Sequence, residues 1–146
     1  MRIEEISVTS QLYEDAIELR YALFFKEFNL PKSVTADDLE NTSLHIAASE
    51  GEELLAYGRL SPIEPGVFRI SQIVVPKKHR HKGYAFRLLC KIIELGQSKG
   101  ARTLRLHSQV SVRGLYRRLG FKEVGEVYRV KLTGVEHIKM EYDVRT

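Results

Sequence analysis

The segment from Val67 to Gly100 constrains the fold more than any other part of the chain. VFRISQIVV, residues 67–75, is rich in β-branched residues and reads as a strand. Its Ile73-Val74-Val75 end carries no polar residue, which suits a strand buried on both faces. Pro76 and the basic loop KKHRHKG follow directly. The stretch 83–98 then repeats apolar residues at helical spacing, with Phe86, Leu89, Ile92, Ile93 and Gly96 on one face and Arg87, Lys91 and Glu94 away from it. Gly100 suits its C-terminal cap. Thr103–His107 reads as the next strand, so the run predicts a parallel strand–helix–strand crossover.

The remaining elements build outward from that crossover. Residues 2–7 read as a short strand and 11–28 as a helix closed before Pro31. Thr35 with Asp38 resembles a capping box and predicts a short helix over 34–41. Residues 43–49 and 53–60 read as strands around Glu50-Gly51-Glu52, with a break at Pro62/Pro65-Gly66. A helix near 110–119 and hairpin strands near 124–131 and 135–143 complete the chain. Three consecutive strands favour antiparallel pairing. The expected architecture is α+β: a central mixed, mostly antiparallel sheet with helices on both faces. A length of 146 residues suits a single domain, 1–146, with one real core.

Charge is unevenly placed. The net charge is +4, but residues 1–73 hold 6 Lys/Arg against 13 Asp/Glu, while residues 74–146 hold 17 against 6. The basic half is expected to meet an anion: a nucleic acid, a membrane surface or a phosphorylated small molecule. Lys77, Lys78, Arg80 and Lys82 crowd one helix N-terminus beside Gly83. Exposed N–H groups and the helix dipole favour a phosphate or pyrophosphate there. That concentration fits a compact phosphate ligand rather than a long nucleic-acid track, and no nucleic-acid-binding signature accompanies it. The loop matches neither a Walker A pattern nor the three-glycine dinucleotide fingerprint.

No apolar run long enough for a membrane span and no secretory signal is visible, which fits a cytoplasmic protein. The single cysteine, Cys90, rules out an internal disulfide and a cysteine-based zinc site, and is expected in the helix core. His79-x-His81 lacks the further ligands a metal would need, so no metal is expected.

Arg80-His81-Lys82-Gly83-Tyr84-Ala85 fits the R/Q-x-x-G-x-G/A signature of the GNAT superfamily of N-acetyltransferases. Ile73-Val74-Val75-Pro76 resembles the strand that enters that loop, and Leu115-Tyr116-Arg117-Arg118-Leu119-Gly120-Phe121 resembles the motif L/F-Y-x-x-x-G-F. Leu106-His107-Ser108-Gln109, Val124-Gly125-Glu126-Val127-Tyr128 and His137-Ile138-Lys139-Met140 resemble the ElaA-like branch. The resemblance implies the GNAT (acyl-CoA N-acyltransferase) fold and acetyl-CoA as co-substrate. It implies that backbone groups of Ile73, Val74 and Val75 pair with the pantetheine arm. Backbone N–H groups of His81, Lys82, Gly83, Tyr84 and Ala85 would hold the pyrophosphate, with Lys77, Lys78, Arg80 or Lys82 adding charge. Gln109 stands where the family often has an Asn that contacts coenzyme A. Tyr116 stands where the family places the general acid for the leaving thiolate; a purely packing role for its ring is the alternative.

The expected reaction is direct attack of an amine on acetyl-CoA, the acceptor being a small-molecule amine or a peptide amine. The oxyanion donor would be the backbone N–H of Val74 or Val75. His45, His107, His137 and Glu64 are candidate bases. The alternative is a coenzyme-A-binding sensor or interaction module. A homodimer through exposed strand edges is possible on this reading.

Overall fold

A computed structural model of the protein describes residues 1–144. Its strands are β1 (Arg2–Ile6), β2 (Leu44–Glu50), β3 (Glu53–Glu64), β4 (Val67–Val74), β5 (Thr103–Gln109), β6 (Lys122–Arg129) and β7 (Glu136–Asp143). Its helices are α1 (Gln11–Phe24), α2 (Tyr84–Ser98) and α3 (Arg113–Arg118). The strands form one sheet in the order β1-β2-β3-β4-β5-β7-β6. Every neighbouring pair is antiparallel except β4 and β5, the pair joined through α2. The mixed, mostly antiparallel sheet expected from the sequence is therefore present.

Alternation along the strands sends side chains to two cores. Ile46, Ala48, Ala56, Leu60, Ile70, Leu104 and Leu106 pack with Leu88, Leu89 and Ile92 of α2. Ala47, Leu54, Tyr57 and Val74 pack on the other face with Ala16 of α1. Helices thus cover both faces, and β2 to β4 carry buried residues on each of them. The buried stripe of α2 is Leu88, Leu89, Ile92 and Gly96. Cys90 lies outside that stripe and is exposed, not in the core as expected.

Other boundaries differ from the sequence reading for identifiable reasons. α1 starts where Ser10 accepts a hydrogen bond from the Tyr13 N–H at 3.2 Å. It stops at Phe24, and a 3₁₀ turn (Lys26–Phe28) closes on Asn29 at φ 58°. β3 runs through Pro62, because β2 has ended opposite Leu60 and that stretch is an edge where a missing N–H is tolerated. α3 is shorter than expected, with a 3₁₀ turn (Val110–Val112) before it.

The helix expected over 34–41 does not form; Lys32–Val34 is a 3₁₀ turn and bends follow. Tertiary bonds claim its groups instead. Arg20 is fully buried on α1, and its Nη1 and Nη2 donate to Glu40 at 2.7 and 3.1 Å. Nη2 also donates to the Thr35 carbonyl at 2.9 Å. From β3, Arg59 donates to Glu40 and, at 2.7 and 3.0 Å, to both oxygens of Asp37. Two guanidinium groups and two carboxylates thus form a neutral quartet that fastens the segment between α1 and the sheet.

The two arginines hold Glu40 below the ordinary carboxylate range against the opposing effect of burial. A folded-state value below the unfolded one stabilises above the unfolded pKa, and that contribution is lost as pH falls. Glu40→Ala is expected to cost about 3–5 kcal/mol at neutral pH, because it leaves the buried Arg20 without a counter-charge while Arg59 keeps Asp37. Its urea stability should also lose less than the wild type between pH 5 and pH 3, read from unfolding curves across that range.

Candidate active site

The sheet parts between two neighbouring strands, β4 and β5. β4 and β5 pair only at Val67↔Thr103, Phe68↔Leu104 and Arg69↔Arg105. Beyond Arg69 the strands part, and β5 continues to Gln109 paired with β7 alone. On the other side of β4, Tyr57 pairs with Val74 and Arg59 with Ser71, so Gly58 faces both Gln72 and Ile73. This is a β-bulge. Gln72 takes a left-handed backbone at φ 60°. A Cβ on Gly58 would lie 2.5 Å from Ile73 Cδ1 and 2.7 Å from Ile92 Cδ1, so glycine there lets α2 close over the bulge.

A cavity of about 500 Å³ opens where the strands part. Ser71, Gln72 and Ile73 line one side, His107, Ser108 and Gln109 the other, and Phe24, Phe25 and Phe28 roof it from the end of α1. Tyr116 of α3 reaches the same cavity. It is almost wholly buried, meets the Phe121 ring edge-on at 6.0 Å, and its hydroxyl has no hydrogen bond among the described residues. Burial pushes its pKa up to about 12, so the phenol keeps its proton at any ordinary pH.

Ile73, Gln109 and Tyr116 therefore meet, while Val74 and Val75 carry the chain out toward the basic loop. Val74 packs in the α1 core, and Ile73 and Val75 pack on the α2 side. The loop opens with a 3₁₀ turn (Lys77–His79). Lys78 Nζ and His79 Nε2 lie 2.6 and 2.8 Å from Glu53 at the start of β3. Arg80 Nε donates to the Val75 carbonyl at 3.3 Å. His81 and Gly83 are left-handed at φ 63° and 82°, and Gly83 caps α2 without any side-chain bond. The N–H groups of the first turn, from Tyr84 and Ala85 onward, consequently face outward unpartnered by the helix. A Cβ on Gly83 would meet nothing within 4 Å. Lys77, Arg80 and Lys82 make no ion pair among the described residues.

The candidate bases separate sharply. His45 is buried, with Nδ1 at 2.6 Å from the Tyr57 hydroxyl and Nε2 donating to the Glu40 carbonyl at 2.9 Å; it belongs to the clamp, not the cavity. Glu64 is exposed at the end of β3 and does not line the cavity. His107 and His137 both do. His107 Nδ1 is hydrogen-bonded to the Tyr128 hydroxyl at 2.7 Å. Burial, then the charges of Arg69 and Lys139, hold its pKa below the ordinary imidazole value. His137 Nδ1 donates to the Val135 carbonyl at 3.1 Å. Sequence reasoning missed Arg69, Tyr128 and the phenylalanines of α1 as cavity residues. No motif marks Arg69 or the phenylalanines, and Tyr128 enters the ElaA-like resemblance without a role; the register of the sheet and the end of α1 bring them together.

A sheet split beside a bulge, leading into an uncapped helix N-terminus, defines an acetyltransferase of the GNAT type. Residues 8–144 match the acetyltransferase (GNAT) domain family, and the chain belongs to it. It is accordingly an acetyl-CoA-dependent acetyltransferase. Protein ElaA of Escherichia coli is 32% identical over 96% of this chain and 92% of its own length. The uncharacterized N-acetyltransferase YjcF of Bacillus subtilis is 28% identical over 94% of this chain and 97% of its own. The crystal structure of Escherichia coli ElaA superposes with a TM-score of 0.81 at 25% identity, covering 98% of this chain and 100% of that one. No helix among the described residues is long and apolar enough to cross a membrane.

The left-handed bulge gives a direct test. Gln72→Val is expected to cost about 1–2 kcal/mol of stability, since a β-branched residue tolerates positive φ poorly. Gln72→Gly should change stability far less, with denaturant unfolding as the measurement.

Proposed function

We propose that the chain transfers the acetyl group of acetyl-CoA to an amine by direct attack within the cavity between β4 and β5. The observation that carries this reading is the continuity of three features. The unpaired edge of β4, the left-handed loop and the uncapped N-terminus of α2 follow one another without interruption. An extended pantetheine arm would pair with backbone groups of Ile73, Val74 and Val75 as an added strand. The pyrophosphate would sit on N–H groups from His81, Lys82, Gly83, Tyr84 and Ala85, with Arg80 supplying charge. Gln109 faces the arm from β5.

The chemistry divides among a few groups. A neutral amine attacks the thioester carbonyl, and the oxyanion is held by the N–H of Val74 or Val75 just beyond the bulge. Tyr116 donates its proton to the departing thiolate, and its raised pKa keeps that proton available. His107 takes the proton from the incoming ammonium. Its lowered pKa keeps it neutral, and therefore basic, to lower pH than a free imidazole. The acceptor is a small-molecule or peptide amine. β6 is exposed along its whole length at the edge of the sheet, which supports a homodimer formed through strand edges.

Calorimetry with acetyl-CoA and a thiol-release assay test the reading together. Tyr116→Phe is expected to lower kcat about 10²–10⁴-fold with the coenzyme A affinity unchanged. His107→Gln should lower turnover and abolish the acidic limb of kcat/KM, which in the wild type lies below the ordinary imidazole pKa. Gly83→Val should weaken coenzyme A binding at least tenfold. Tight binding with no thiol release from any amine would instead assign a coenzyme-A-binding module.

A further inference from the structure

The sheet wall of the cavity carries a cation that the protein leaves without a partner. Arg59, Arg69 and Arg105 lie on the α1 face of the sheet, as the pairings Ser61↔Arg69, Arg59↔Ser71 and Arg69↔Arg105 require. Arg59 is bound by Asp37 and Glu40, and Arg105 Nε donates to Glu141 at 2.9 Å. Arg69 alone of the three has neither an ion pair nor a hydrogen bond among the described residues. Its Nε is buried with no acceptor. It lines the cavity, and its charge reaches His107 and Tyr128.

Arg69 is half-buried, and its Nε is shut off from water with no acceptor in return, which is costly. An arginine kept in that state beside an open cavity is set for an anion that arrives with the ligand. A planar, bidentate carboxylate is the group its fork fits best. A single guanidinium also matches a single negative charge. Glu27 is the only acid among the lining residues, and it is exposed and makes no ion pair with Arg69. That roof of Phe24, Phe25 and Phe28 suits an apolar group. His107 lines the same cavity from the neighbouring strand.

We propose that the acceptor is an amino acid with an apolar side chain, its carboxylate bound by Arg69 and its side chain packed under the α1 phenylalanines. This rests on the acetyl transfer proposed above. The amine of such a molecule is one carbon from the carboxylate, which brings it toward His107. Arg69 then selects among amines by the charge beside the reacting nitrogen.

The test uses the product side, so that it does not depend on turnover. The complex with coenzyme A is titrated calorimetrically with N-acetylphenylalanine, N-acetylleucine and N-acetylmethionine, and with the matching N-acetyl amines that lack the carboxylate. At least one acid is expected to bind tenfold or more tightly than its decarboxylated partner. Arg69→Gln should erase that preference and leave coenzyme A affinity unchanged, which also shows that the variant folds. Arg69→Lys should retain part of it. Equal binding of acid and amine, binding of no acid, or a preference that survives Arg69→Gln overturns the proposal. So does a loss of coenzyme A affinity in Arg69→Gln, which assigns Arg69 to the cofactor. Failure of the wild type to bind coenzyme A would overturn the acetyl-transfer reading itself.

Discussion

Hydrogen bonding between β4 and β5 ends at Arg69 and Arg105, and the rest of the molecule is arranged around that gap. A sheet interior normally pairs every backbone group, because an unpaired one loses about 1–3 kcal/mol when water is excluded. Here the gap is kept open from several sides. β5 takes β7 as its antiparallel partner along its full length, so its second edge is free to diverge. The bulge at Gln72 and Ile73 turns β4 away, and Gly58 makes room for Ile73 and Ile92 beneath it. The parting strands leave a cavity that water or a ligand can enter, which is where those backbone groups find partners.

The roof over that gap depends on a second device. α1 ends in the phenylalanines that cover the cavity, and its position is fixed by Arg20, buried within its last turns. Glu40 answers both Arg20 and Arg59, so one carboxylate ties the helix, the bent segment after it and β3 together. The Tyr13 hydroxyl donates to the same carboxylate at 2.9 Å, and Arg20 also lies over the Tyr57 ring at 5.8 Å. Such a cluster favours one arrangement strongly, because each alternative leaves a buried charge unanswered.

Local pattern made much of this legible in the sequence. The β-branched run 67–75, the glycine at 83 and the apolar repeat of α2 each express a neighbour-to-neighbour rule, and all appear where expected. The segment 34–41 is not helical because Asp37, Glu40 and the Thr35 carbonyl serve distant partners: Arg20 lies 15 positions before the Thr35 carbonyl it binds. Cys90 was misplaced because the stripe that α2 buries is centred on Leu88 and Leu89, not on Phe86. The histidines looked alike as strand residues. Only the cross-strand register separates His45, held by Tyr57 and Glu40, from His107 at the cavity. Arg69 was one arginine among many until its lack of a partner became visible.

The attachment of the basic loop to Glu53 bears on how the loop meets an anion. Lys78 and His79 are tied to the hairpin between β2 and β3, while His81 and Gly83 hold left-handed backbones just beyond. The loop is therefore cross-linked to the sheet before any ligand arrives. The entropy of ordering it is lost during folding and need not be lost again on association. Two of its basic side chains are also already engaged, while Lys77, Arg80 and Lys82 make no ion pair among the described residues, so a phosphate there would meet both their charge and the peptide N–H groups. Dissolved salt would then act twice, screening those free cations and loosening the exposed tie to Glu53, and with it the shape of the loop.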